Sequence, residues 1–258
     1  MNADGVRKEL LKFSSEDRAK KNAYFFKTGI GQYSEGEIFI GVRTPEIRLV
    51  AKEFIDLSLS EVGKLFESEV HEERLTAAIL LTFKYHKYPE QREATYSFYL
   101  DLLINGTTSQ TPEDFSLKGG RSGIDNWDIV DVSAHKIVGR HLASTMGSKD
   151  REILYQLAAS SELWQNRVAI VATWWLITKE LHFIETLKLS KIYMDHPHDL
   201  IHKASGWMLR EVGKKDLATL TNFLDANATQ MPRTMLRYAI EQLPKETRKK
   251  FLALTVRI

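Results

Sequence analysis

Apolar residues recur at three- and four-residue spacing along nearly the whole chain, and no segment alternates apolar and polar positions convincingly enough for a strand. Ile47, Val50, Ala51 and Phe54 form one such stripe, and Leu75, Ala78, Ile79, Thr82 and Phe83 form another. The pattern predicts an all-α protein. Prolines punctuate it: Thr44-Pro45 reads as an N-cap followed by proline at the first helical position, while Pro197, Pro232 and Pro244 sit just ahead of, or between, periodic segments.

The predicted helix starts repeat. Leu163–Ala169, Asp199–Ser205 and Gln230–Leu236 each open a helix after a short connector, and starts equivalent to Trp127 fall at Trp164, Leu200 and Pro232, spaced 37, 36 and 32 residues apart. That is the period of two-helix solenoid repeats. The tetratricopeptide pattern of aromatic and small residues is missing, so the expected fold is a HEAT-like α-α superhelix, a single domain over residues 1–258. Trp127, Asp131, Trp164, Arg167, Trp207 and Arg210 fall near helix starts, where such an array builds its concave face. Two segments interrupt the periodicity. Residues 105–125 are rich in turn formers and predict a flexible loop insertion leading into Trp127. Residues 29–41 are glycine-dense, but Gly29-Ile30-Gly31 is no phosphate loop, since no strand precedes it and no Lys-Ser/Thr follows.

Composition narrows the class. A chain of 258 residues, 43% hydrophobic and 27% charged, can bury a sizeable core. With no cysteine, disulfides, thiolate nucleophiles and cysteine-ligated zinc are excluded, leaving a carboxylate, a hydroxyl or water as nucleophile. There is no run of about 18 uncharged apolar residues, and the N-terminus lacks the basic and apolar regions of a signal peptide. A cytoplasmic protein with no membrane partner is expected. Residues 203–258 carry 11 Lys/Arg against 5 Asp/Glu, so the C-terminal quarter is basic on an otherwise slightly acidic protein. A polyanion binder leaves such a footprint, and so does a solvated helix face.

Candidate chemistry concentrates in Asn126-Trp127-Asp128-Ile129-Val130-Asp131. Trp127 and Asp131 are four apart and share one side of a helix, with Asp128 turned aside. An indole face beside a carboxylate suits a cation, such as the oxocarbenium ion that develops when a glycosidic bond breaks. A core tryptophan followed by a capping aspartate fits the same six residues. His196, His198 and His202 resemble a metal constellation, but no third ligand is fixed by spacing and Asp199 reads equally as a helix start. His71-Glu72-Glu73-Arg74 lacks the second histidine of a zincin. No metal and no cofactor are expected.

Six motifs in order carry a family resemblance: Phe25-Phe26-Lys27-Thr28-Gly29, Gly41-Val42-Arg43-Thr44-Pro45, His71-Glu72-Glu73-Arg74, Asn126–Asp131, Trp164-Gln165-Asn166-Arg167 and Gly206–Lys214. Together, over roughly residues 20–245, the chain resembles the AlkD-like DNA alkylation repair family. The resemblance implies a HEAT-like superhelix whose concave, basic face grips double-stranded DNA, and a monofunctional glycosylase that removes N3- and N7-alkylated purines. It implies catalytic roles for Asp131, Trp127, Trp207 and Arg167, with Asp131 as the carboxylate, the two tryptophans as its aromatic companions and Arg167 near the carboxylate. Arg48 and Arg210 resemble phosphate-contacting positions, and Lys203, Lys214 and Arg233 are further candidate DNA contacts. The expected state is a monomer. The alternative from another class is a non-catalytic HEAT-like scaffold that binds distorted or branched DNA, or a protein.

Overall fold

The computed structural model describes residues 1–106, 123–144 and 151–254. Most of the predicted insertion at 105–125 therefore lies outside the described residues. Met1–Ser133 form one compact unit and Ala134–Ile258 another. Among the described residues the architecture is all-α, apart from an isolated bridge between Ile38 and Val70. No helix is long and apolar enough to cross a membrane among these residues.

The first unit contains α1 (Ala3–Leu11), α2 (Glu16–Phe25), α3 (Thr44–Glu53), α4 (Leu59–Phe66), α5 (His71–Lys87), α6 (Arg92–Asn105) and α7 (Trp127–Ala134). Its centre is α5, which packs on α1, α3, α4 and α6. Leu75 to Leu81 are almost without charge and are buried on every side, as a helix needs to be when neighbours surround it. Of the predicted stripe only Phe83 stays partly exposed. The stripe of α3 is buried as expected, and the helix starts one residue earlier than the Thr44-Pro45 reading, with Arg43 at the N-cap. Between α2 and α3 the chain runs through turns and rejoins the core at Gly41 (φ +75°), where a Cβ would meet the Ser15 carbonyl at 2.1 Å. Only glycine fits there.

The second unit opens with a π-helical turn, His135–Gly139, and continues with α8 (Arg140–Ser144), α9 (Glu152–Ala158), α10 (Leu163–Lys179), α11 (Ile184–Ile192), α12 (Asp199–Lys215), α13 (Leu217–Asn227), α14 (Arg233–Ala239) and α15 (Lys245–Ala253). Here the repeat is visible as packing. Helices α10, α12 and α14 lie side by side, α9 and α11 pack against α10, and α11 and α13 against α12. These three start at Leu163, Asp199 and Arg233, each within one residue of the start read from the period. The organisation is HEAT-like. Gly206 lets α12 and α14 close on each other: a Cβ would meet the Met235 carbonyl at 2.4 Å.

Candidate active site

The start of α7 is built by side chains that cap it from below. Asn126, fully buried, accepts from the Trp127 amide at 2.8 Å and donates through Nδ2 to Ser34 Oγ (2.8 Å) and Glu37 Oε1 (3.3 Å). Asp128 accepts from the Ile129 amide at 2.9 Å, and its other oxygen lies 2.9 Å from His71 Nε2. Asp128 is thus turned toward α5. Asp131, one turn along from Trp127 on the same side of α7, is partly exposed. Its charge reaches Tyr99, whose hydroxyl titrates well above its usual value, first because it is buried and further because of Asp131.

Trp127 stands at the outer end of a run of rings. It stacks on Phe26 with centroids 5.2 Å apart and planes at 13°, and Phe25 meets it edge-on at 6.1 Å. Phe26 lies 5.0 Å from Phe39 and 4.9 Å from His71, and His71 stacks on Phe39 at 4.6 Å. Because Phe26 supports one indole face, the Trp127 ring is held in place by packing. A cavity of about 340 Å³ adjoins Phe26, Asp128 and His71, with Arg18, Asn22 and Arg43 also on its walls.

His71-Glu72-Glu73-Arg74, legible in the sequence only as a family motif, is the tie-point of the first unit. His71 Nδ1 lies 3.0 Å from Glu37 Oε2 while Nε2 faces Asp128. Glu72 accepts from the Ile40 and Gly41 amides at 3.0 and 2.8 Å, Glu73 pairs with Arg7 at 2.9 Å, and Arg74 binds Glu37, Asp125 and the Ser68 carbonyl. Burial opposes the imidazolium, but Asp128 and Glu37 outweigh it and raise the pKa of His71 to about 9. Burial likewise opposes the Glu37 carboxylate, and His71 with Arg74 more than reverses this, to about 2.

In the second unit, Arg167 sits near the start of α10, only 5% exposed, and donates to the Leu200 carbonyl at 2.6 Å. It ties α10 to the start of α12. Trp207, on α12, is half-buried and donates from Nε1 to Glu211 Oε1 at 3.2 Å. The predicted DNA-contacting cations are mostly engaged already. Lys203 pairs with Asp199 at 2.8 Å, Lys214 with Glu211 at 2.7 Å, Arg210 with Glu241, and Arg233 donates to the Leu252 carbonyl at 3.0 Å. Arg48, partly exposed on α3 in the first unit, has no hydrogen-bond or ion-pair partner among the described residues. Trp174 packs edge-on against His135, and Trp175 lies beneath Arg140 and Lys179. The two histidines before α12 act as backbone acceptors, His198 Nδ1 capping the Leu200 amide at 3.1 Å and His196 Nδ1 taking the His198 amide at 3.0 Å, while His202 lies within α12. Burial first, then mutual repulsion, holds His196 below the usual imidazole range.

Within the first unit, then, the structure joins Trp127 to Phe25 and Phe26, and through Asn126 and Asp128 joins the start of α7 to Glu37 and His71, groups that sequence reasoning did not assemble. Residues 6–243 match the family model for the DNA alkylation repair enzyme. A solved structure described as a predicted DNA alkylation repair enzyme from Enterococcus faecalis has a TM-score of 0.65 and 16% sequence identity, covering 90% of this chain and 97% of its own. That likeness establishes the shared fold. No curated protein matches the chain.

Proposed function

The chain belongs to the DNA alkylation repair enzyme family, and on that premise we propose that it is a monofunctional glycosylase acting on cationic N3- or N7-alkylated purines in duplex DNA. An alkylated purine already carries positive charge and departs as a neutral base, so no general acid is required. What remains is to stabilise the sugar as it becomes an oxocarbenium ion and to admit water. Asp131 supplies the carboxylate, and it also orients the attacking water. Trp127 covers the deoxyribose with a face that excludes bulk solvent and favours positive charge. Trp207, oriented by Glu211, supplies a second aromatic contact. Arg167 contributes from α10, where its guanidinium fixes the first turn of α12.

The observation that carries this reading is the Trp127–Asp131 face of α7, whose indole is backed by Phe26 and whose helix start is anchored through Asn126 and Asp128. Trp127 stands partly exposed one turn from Asp131, itself partly exposed, as a face that meets a substrate requires. Arg48, Lys203, Arg210, Lys214 and Arg233 are proposed to hold phosphates. The exposed pairs among them cost little to break, roughly 0–1 kcal/mol each, so phosphate competes readily with their carboxylates. The protein is proposed to act as a monomer, without metal or cofactor.

Incubation with methylated duplex DNA should produce abasic sites, and Asp131→Asn should abolish them while leaving binding intact. Release of hypoxanthine as fast as 7-methylguanine would contradict selection by lesion charge. Absence of excision by the wild type, with binding retained, would instead identify a DNA-binding scaffold.

A further inference from the structure

We propose that His71 is a positioning residue for the Trp127–Asp131 face. Its imidazole bridges Glu37 and Asp128 by hydrogen bonds at 3.0 and 2.9 Å while stacking on Phe39 and lying against Phe26, the ring on which Trp127 rests. One buried side chain therefore fixes two things at once: the first turn of α7, through Asp128, and the support of the indole, through Phe26.

Chemistry supports this geometry. Both ring nitrogens face carboxylate oxygens, and an imidazole donates from both only when protonated. At 2% exposure that cation has no water to lean on, so its two carboxylates are its solvation, and it is theirs. The charged groups around it are Glu37 from the segment before α3, Asp128 from α7, and Glu72 and Arg74 from α5; Arg74 in turn binds Glu37 and Asp125. Glu72 is turned to the Ile40 and Gly41 amides and does not compete for the ring. Losing the proton removes one of the two hydrogen bonds and leaves a buried carboxylate facing a lone pair. Asp128 is the partner closer to solvent, so the first turn of α7 is where the strain is released. An imidazole used only as core filler would need no carboxylate at either nitrogen.

The inference rests on the glycosylase reading, because the rate that His71 governs is an excision rate. The experiment separates the two. The protein is labelled with 5-fluorotryptophan, the Trp127 resonance is assigned by Trp127→Phe, and spectra are followed from pH 6 to 10 in the wild type, His71→Gln and Asp128→Asn. The Trp127 resonance should titrate in the wild type with a midpoint near the His71 value of about 9, lose that titration in His71→Gln and move it to lower pH in Asp128→Asn, which leaves the ring with Glu37 alone, while the two substitutions leave the other four tryptophan signals unchanged. In single-turnover assays near neutral pH both variants should excise on the order of tenfold to a hundredfold more slowly, with affinity for lesion DNA changed by less than about twofold. Asp128→Asn keeps the shape and removes one partner, so it decides the matter if His71→Gln fails to fold. A Trp127 resonance that ignores both pH and the His71 substitution overturns the proposal. A wild type that excises nothing overturns the glycosylase reading alone, and the fluorine spectra still decide the role of His71.

Discussion

Trp207 and Glu211 lie one turn apart on α12, and the indole Nε1 donates to the Glu211 carboxylate at 3.2 Å. The same oxygen takes Lys214 at 2.7 Å, so one buried carboxylate orients an aromatic ring and a cation together. Glu211→Ala should free the indole among rotamers and reduce excision on the order of tenfold, a misplacement effect rather than a loss of chemistry. Glu211→Gln retains an acceptor for Nε1 and should recover most of the rate. Single-turnover assays of the two variants check this, and equal loss in both would show that Glu211 acts through its charge instead.

Gly206 precedes Trp207, and its missing side chain is what lets α12 approach α14. A Cβ would stand 2.4 Å from the Met235 carbonyl and 2.5 Å from Tyr238 Cβ, so Gly206→Ala must push backbone apart. Overpacking of this kind costs about 1–3 kcal/mol, and more where backbone must move. The melting temperature should drop by about 2–4 °C for each kcal/mol lost. An unchanged melt would mean that α14 yields freely.

The repeat and the Trp127–Asp131 face were legible because both are local. A period near 36 residues and an i, i+4 pairing need only one helix at a time, and α10, α12 and α14 start where the period places them. The ion pairs Lys203–Asp199 and Lys214–Glu211 were equally available from spacing, at four and three residues, and they qualify the sequence reading of those lysines as open phosphate contacts. What was hidden is non-local. Phe26, Phe39, His71 and Trp127 come from four separate stretches of chain, and no periodicity links them. Nothing in the spacing of Glu72, Glu73 and Arg74 shows that the segment before α3 and the α1 side chain Arg7 fold over them and bury them.

The Glu37–His71–Asp128 cluster makes stability depend on pH in opposite senses on its two sides. His71 has its pKa raised from 6.5 to about 9, so its contribution is complete below pH 6.5 and is lost as pH rises through 9. Glu37 has its pKa lowered from 4.5 to about 2, so its contribution is complete above pH 4.5 and is lost as pH falls through 2. Between pH 6.5 and 9 the wild type should therefore lose on the order of 2–3 kcal/mol, taken from the His71 shift. Denaturant unfolding at the two pH values measures it. His71→Gln should be less stable at pH 6.5 and should show a much flatter profile; the same slope in both proteins would assign the loss to other groups.

Among the proposed phosphate contacts, Arg48 differs from Arg210 in what binding requires. Arg48 has no partner among the described residues, whereas Arg210 must leave Glu241 and lies 3.7 Å from Glu211. Arg48→Ala should weaken duplex binding evenly across sequences and reduce the slope of log affinity against log salt by about 0.9, the value of one released counterion. Glu241→Gln should act the other way. Freeing Arg210 from an exposed pair is worth at most about 1 kcal/mol, which is roughly a fivefold gain in affinity at low salt. Titrations of both variants at several salt concentrations read slope and affinity together. If Glu241→Gln left affinity unchanged while Arg210→Ala also did nothing, Arg210 would not lie on the DNA path.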